Sequence, residues 1–260
     1  MIEDHEINRQ GWNKRTDAHL NHPGQRVAEF LAGKTSLHPL ELEEVGDVGG
    51  KKLLHLQCHF GLDTLSWARL GAEVTGIDIS DRSIAVAREL ASKIGVAARF
   101  IRTDLFDLPE HLAETFDIVY TSYGATWWMS DIIRWAEVAA RYVAKGGFFY
   151  IAEIHPVLCM LDARKQIIEP YFHQGAERSF DEVDYIDRSV TIEQECGWRW
   201  TLGDVITALA RAGLRIEYLH EFPYCVYDTY PETFVQDGRW YYYPDRKNDV
   251  PMTYSIRACK

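Results

Sequence analysis

From Lys51 to about Ala152 the chain alternates short apolar runs with stretches in which apolar residues return every three or four positions. The runs Leu53-Leu54-His55-Leu56, Glu73 to Ile77, Arg99-Phe100-Ile101, Phe116 to Tyr120 and Phe148 to Ala152 predict five strands. Between them, Asp63 to Leu70 predicts a helix ended by Gly71. Ser80 reads as the N-cap of a helix whose buried side carries Ile84, Ala87, Ala91 and Ile94, with Gly95 as its stop. Ser130 reads as the cap of a third helix, running to Val143 and halted by Lys145-Gly146-Gly147. The fifth strand is apolar throughout, as a strand covered on both faces must be. Strand–helix alternation at this spacing specifies an α/β, doubly wound sheet with helices on both faces.

The flanks are patterned differently. Residues 1–50 predict an N-terminal helical cap of two or three helices, including Val27 to Ala32 and Pro39 to Val45, with Gly46 and Gly49-Gly50 as the linker. The remainder, 51–260, predicts one domain carrying an insertion at about 156–200. That insertion has no helical period and mixes Tyr171, Phe172, Phe180, Tyr185, Trp198 and Trp200 with acids; it reads as a lid over the sheet edge. Thr201-Leu202-Gly203-Asp204 has the capping-box pattern and opens a helix that ends near Gly213. Arg215 to Leu219 and Met252 to Ala258 predict two further strands, separated by an excursion containing Trp240-Tyr241-Tyr242-Tyr243.

Charge narrows the partners. Thirty-nine acids against 28 bases leave a net charge of −11, which repels phosphate backbones and anionic membranes. The expectation is therefore no nucleic-acid and no membrane partner, and a small-molecule substrate. The polar opening MIEDHEINRQ is unlike a signal peptide, and no apolar run reaches the ~20 residues of a membrane span. Five scattered cysteines without a C-x-x-C pair point to a reducing, cytoplasmic setting. No ligand pair has zinc spacing, so no metal is expected.

The chemistry gathers at strand ends. In an open α/β sheet, ligands bind outside the carboxyl ends of the strands, where strand order reverses. The first strand runs into LHLQCHFGLDT, the second ends in GIDIS with Asp78, and the third runs into Thr103-Asp104-Leu105. A carboxylate at Asp78 is placed to accept hydrogen bonds from ribose hydroxyls.

These segments together resemble the class I S-adenosylmethionine-dependent methyltransferases, over roughly Lys51 to Glu153 and more loosely the tail. LHLQCHFG aligns with the family's apolar strand and G-x-G-x-G turn, and FDIVYTSYG with its fourth strand. KGGFFYIAE resembles its next turn and fifth strand, and PMTYSIRA its antiparallel finish. The resemblance implies a seven-stranded Rossmann-like sheet, mostly parallel with an antiparallel last strand. It implies S-adenosyl-L-methionine as cofactor, S-adenosyl-L-homocysteine as product, and methyl transfer to a small N or O nucleophile. The cofactor contacts it implies are Gln57, Cys58, His59, Gly61, Asp63, Asp78, Ile79, Asp104, Leu105, Thr121, Ser122 and Tyr123; Trp12, on one helix face with Arg15 and His19, either closes over the cofactor or packs that helix down. By their place past the fourth and fifth strands, Trp127, Trp128, Glu153 and His155 are the acceptor-side candidates, with His155 as the candidate base because neutral imidazole suits that task near pH 7. This chain departs from the family where Gln57 and His59 replace the first two glycines and His55 stands in place of an acid.

Two other functions compete. A nicotinamide-dependent oxidoreductase needs G-x-G-x-x-G at this turn, where the chain has Gln57, His59 and Leu62. A protein that binds cofactor or metabolite without transfer would tolerate the altered turn. The acceptor and the oligomeric state, monomer or homodimer, are open at this stage.

Overall fold

The computed structural model describes residues 2–23, 26–231 and 233–260. Three helices come first: α1 (Ile2–Asn21), α2 (Val27–Leu31) and α3 (Pro39–Val45). The alternating region follows as β1 (Lys52–His55), α4 (Leu62–Arg69), β2 (Glu73–Asp78), α5 (Asp81–Ile94), β3 (Arg99–Arg102), α6 (Leu108–His111), β4 (Phe116–Ser122), α7 (Ile132–Tyr142) and β5 (Val143–Ile154). Then come α8 (Pro156–Cys159), a hairpin of β6 (Ala176–Val183) and β7 (Thr191–Trp198), and α9 (Leu202–Arg211). The chain closes with β8 (Arg215–Phe222), a small hairpin of β9 (Val235–Asp237) and β10 (Trp240–Tyr242), and β11 (Thr253–Cys259).

Seven strands form one sheet in the order β3-β2-β1-β4-β5-β11-β8, in which β11 runs antiparallel to both β5 and β8 while the β1, β2, β3, β4 and β5 pairs are parallel. Strand order reverses between β1 and β4, so the crevice outside their carboxyl ends is the place a ligand enters.

Both faces are dry. On one, Leu54, Ile77, Val119, Phe149 and Ile256 pack under Trp135 of α7 and Leu209 of α9. On the other, Leu53, Tyr120 and Tyr150 pack under Leu40 of α3 and Trp67 of α4. Phe60, Leu65, Ile84, Ala87 and Phe100 lock α5 beside the first turn.

The predicted caps hold at Ser80, which accepts from the Ser83 N–H, and at Thr201, whose reciprocal bonds with Asp204 complete a capping box. One cap shifts. Asp131, not Ser130, accepts from the N–H groups of Ile133 and Arg134, and the helix begins at Ile132. Lys145-Gly146-Gly147 do not follow a helix into a loop; they belong to β5, which starts directly at Val143.

Candidate active site

The turn after β1 solves a steric problem in an unexpected way. Gln57, His59 and Gly61 all have positive φ, at 55°, 51° and 79°. That is the left-handed region glycine enters freely and other residues enter at a cost of about 1–2 kcal/mol. The two substituted positions therefore keep the backbone path that glycine allows. Their bulk is turned aside: Gln57 Nε2 donates to the Ala125 carbonyl at 2.8 Å, and the His59 ring lies against Trp12 and His19, with centroids 5.2 and 5.3 Å away. Gly61 itself cannot be replaced freely, since a Cβ there would meet the Phe100 ring at 2.9 Å.

Asp78 stands at the end of β2 with its carboxylate aimed by the backbone. One oxygen accepts the His59 N–H and the other the Ser80 N–H, each at 2.8 Å. Burial pushes its pKa up to about 6 against these bonds. Asp104, after β3, accepts the Phe106 N–H and so caps a 3-10 turn, while its other oxygen pairs with the His5 ring of α1. Burial raises and His5 lowers the Asp104 pKa, and the net direction is down. Asp63, in the first turn of α4, is partly buried, and desolvation raises its pKa, with Ser122 Oγ 3.4 Å away.

After β4 the loop is organised from β5. The buried Glu153 carboxylate accepts from the N–H groups of Gly124, Ala125, Thr126 and Ile154. It thus fixes the loop that carries Tyr123, Trp127 and Trp128. Trp128 meets Trp12 edge-on, at 5.2 Å.

One cavity of about 1010 Å³ joins these groups. It is lined by Trp12, Gln57, Cys58, His59, Gly61, Asp63, Asp78, Ile79, Asp104, Leu105, Ser122, Tyr123, Trp127, Trp128 and Glu153. Two expected residues are not brought to it. Thr121 is fully buried in β4, its hydroxyl on the Leu56 carbonyl. His155 is turned away: Nδ1 accepts the Val157 N–H to cap α8, and Nε2 bonds Glu221 of β8 at 2.9 Å. Both ring nitrogens are engaged, and the cavity wall passes through its neighbours Ile154 and Pro156 instead. His55 is buried, its Nδ1 2.8 Å from the Thr64 hydroxyl, and burial holds its pKa down at about 3.

Three separate segments cover the crevice. Helix α1 has no apolar stripe and is fastened by side chains. Asn8 exchanges two hydrogen bonds with the backbone of Cys196 in β7, as a neighbouring strand would. Arg15 and His19 reach the fully buried Asp184 that follows β6, and Arg15 also pairs with Glu195. Burial opposes ionisation of Asp184, but His19 and two backbone N–H groups hold its pKa at about 2. The second segment is the β6–β7 hairpin, and the third is the excursion from 223 to 243. These, with the residue that caps α3, bring residues that pattern reasoning did not single out: His5, Asn8, His38, Tyr227 and Arg239. Of these, only the aromatic density of the late excursion was visible in the sequence.

Residues 54–151 match the family described as Methyltransferase domain. These residues carry a methyltransferase domain. Among curated relatives, the ubiquinone biosynthesis O-methyltransferase of Hahella chejuensis is 36% identical over 86 residues, covering 32% of this chain and 36% of that protein. The ribosomal protein L11 methyltransferase of Geobacter metallireducens is 33% identical over 163 residues, covering 59% of this chain and 50% of that protein. The chain thus spans about half the length, or less, of these relatives. In fold it is similar to an S-adenosylmethionine-dependent methyltransferase from Mesorhizobium loti, with TM-score 0.57, 22% identity, and coverage of 88% and 100%. A Methanosarcina mazei SAM-dependent methyltransferase gives TM-score 0.56, 18% identity, and coverage of 86% and 98%.

The methyltransferase domain's cofactor is S-adenosylmethionine, and the residues present fit it. Gln57 Oε1, His59 Nε2 and Tyr123 Oη are buried around the cavity without hydrogen-bond partners, as polar groups arranged for a ligand are. Each Asp78 oxygen keeps acceptor capacity beyond its one backbone bond.

Proposed function

We propose that the chain transfers the methyl group of S-adenosylmethionine to an oxygen or nitrogen of a small molecule, with oxygen favoured by the name of the Hahella relative. The observation that carries this reading is the single cavity, continuous from Asp78 and Asp104 at the sheet rim to Tyr123, Tyr185 and Tyr227 under the cover. In this reading Asp78 holds the ribose, Asp104 and Leu105 flank the adenine, and the 57–61 turn with Asp63 and Ser122 holds the amino-acid end. The bound sulfonium supplies an electrophilic methyl.

What the chain contributes is alignment and exclusion of water. Holding two reactants in line can supply roughly 7–11 kcal/mol of barrier reduction, and a covered, aromatic-lined cavity limits solvation of the nucleophile. Acid–base help is weakly provided. His155 faces Glu221, and His38 on the cavity wall is held down to about pKa 3 by burial. Residues 1–50 and the insertion at 156–200 act as the acceptor-side cover, joined by the 223–243 excursion. The acidic chain favours neither nucleic acid nor membrane, and its unpaired cysteines suit a cytoplasmic setting.

The test is calorimetry with S-adenosylhomocysteine and NAD, followed by radiolabelled methyl transfer into an extract split by size. Binding of the homocysteine compound with label in the small-molecule fraction is expected. Binding without label would make the chain a carrier, and preference for NAD would remove the reading altogether.

A further inference from the structure

Three arginines with side chains at least partly buried stand on the cavity wall, and they are not equivalent. Arg26 pairs with Glu29, and Arg199 with Glu177 and Glu169. Arg239, at the tip of the β9–β10 hairpin, has no carboxylate within ion-pair distance among the described residues. Its guanidinium instead donates to the backbone carbonyls of Ser36 and Leu37, both at 2.5 Å. Two carbonyls orient a guanidinium without neutralising it, and three of its five N–H groups are left to donate elsewhere. Holding an unneutralised charge half-buried is unfavourable unless something completes the site.

The surroundings deepen the imbalance. Arg26 lies close enough to repel Arg239, and the acids whose charge reaches it, Glu41 and Asp63, are both pushed by desolvation toward their neutral forms. The loop that Arg239 grips is itself tied to α4, since Ser36 bonds Ser66 through both its N–H and its hydroxyl. The start of α4 faces the same cavity, and its cap, Gly61, offers no side-chain acceptor to the first amides. A fixed planar cation and a helix N-terminus on one wall both favour an anion, and guanidinium geometry matches a carboxylate best.

We propose that Arg239 reads a carboxylate of a bound small molecule, either the amino-acid end of the cofactor or an acid group on the acceptor. The first source rests on the methyl-transfer reading; the second does not. The experiment separates them. S-adenosylhomocysteine and 5′-methylthioadenosine, which lacks the amino-acid carboxylate, are titrated calorimetrically into wild type, Arg239→Gln and Arg239→Lys. Benzoate and benzamide are then titrated into the same proteins, with and without S-adenosylhomocysteine. If the cofactor supplies the carboxylate, Arg239→Gln loses tenfold or more in affinity for S-adenosylhomocysteine and less than twofold for methylthioadenosine. If the acceptor supplies it, wild type prefers benzoate to benzamide by tenfold or more and Arg239→Gln loses that preference. Arg239→Lys keeps the charge and one of the carbonyl bonds, so it serves if the glutamine variant does not fold, with a loss of about threefold expected. The proposal is overturned if folded variants keep both preferences, or if wild type shows no carboxylate preference in either pair. Failure of both nucleosides to bind wild type would sink the methyl-transfer reading, while the benzoate pair would still decide the role of Arg239.

Discussion

At the sheet rim the cavity-facing groups are placed by backbone: Asp78 by two N–H bonds, the 57–61 turn by its left-handed residues, and the 123–128 loop by three amides on Glu153. In the cover the order is reversed. Helix α1 is held by side chains, with Arg15 and His19 on Asp184 and Asn8 on the backbone of β7. A rim built this way is rigid because main-chain bonds allow few alternatives. A cover built this way is separable, because it leans on one buried charge cluster more than on continuous apolar packing.

The contrast can be broken most directly at Asp184. Asp184→Leu leaves Arg15 and His19 buried without their shared carboxylate, and breaking a buried pair costs about 3–5 kcal/mol. Urea unfolding followed by tryptophan fluorescence should show Trp12 and Trp128 exposed before the far-ultraviolet signal of the sheet is lost. A single transition at the wild-type midpoint would mean the cluster does not hold α1 down. At the rim, Asp78→Asn should weaken S-adenosylhomocysteine by about 1.5–3 kcal/mol, the range for hydrogen bonds to a charged group, with thermal stability checked in parallel. Gly61→Ala should cost about 1–3 kcal/mol of stability, from left-handed strain together with overpacking against Phe100.

Smaller effects sharpen the comparison. Glu41, on the buried side of α3 and bonded by the Tyr120 hydroxyl, has its pKa raised by burial to about 8. The folded protein binds this proton more tightly than the unfolded chain. Its contribution to stability is therefore full below about pH 4.5 and is lost as pH rises through about 8. Glu41→Gln should flatten the stability profile over that window, where one proton accounts for at most about 1.4 kcal/mol per pH unit. An unchanged slope in denaturation midpoints would place Glu41 outside the titration. The least effect on ligand is expected at His155. His155→Ala removes a cap worth about 0.5–2 kcal/mol of stability and should leave S-adenosylhomocysteine affinity within twofold. A larger loss in titration would return it to the site.

Strands β1, β2, β4 and β5 were legible as largely apolar runs, the mark that parallel strands buried on both faces leave, while β3, β8 and β11 were read from shorter or mixed runs. Asp78 and Asp104 were legible for the same reason, since a strand's end locates the rim. The rest depended on contacts between distant segments. The β6–β7 hairpin escaped the pattern because β6 is mostly solvated, so no apolar alternation records it. His155 occupied the expected place along the chain, but Pro156 starts α8 at once and the ring swings toward β8. Arg239 sits in a turn whose partners lie some two hundred positions away, and no local period could reveal it. The cap at Asp131 rather than Ser130 shows the finest limit: two adjacent residues of equal capping ability, one of them drawn off to His5.

Gly197, near the end of β7, carries a consequence for how large a molecule the enzyme admits. The Trp127 ring lies so close against it that a Cβ built on Gly197 would fall inside the indole, while Arg199 covers the same ring with its guanidinium carbon 5.4 Å from the centroid. The missing side chain is what lets the ring retreat from the chamber. Position 197 therefore works as a stop that sets the bore: a side chain added there displaces the indole and changes the shape of the cavity. Cavity size is thus set in part by this one position, at a distance along the chain from the rim that carries Asp78.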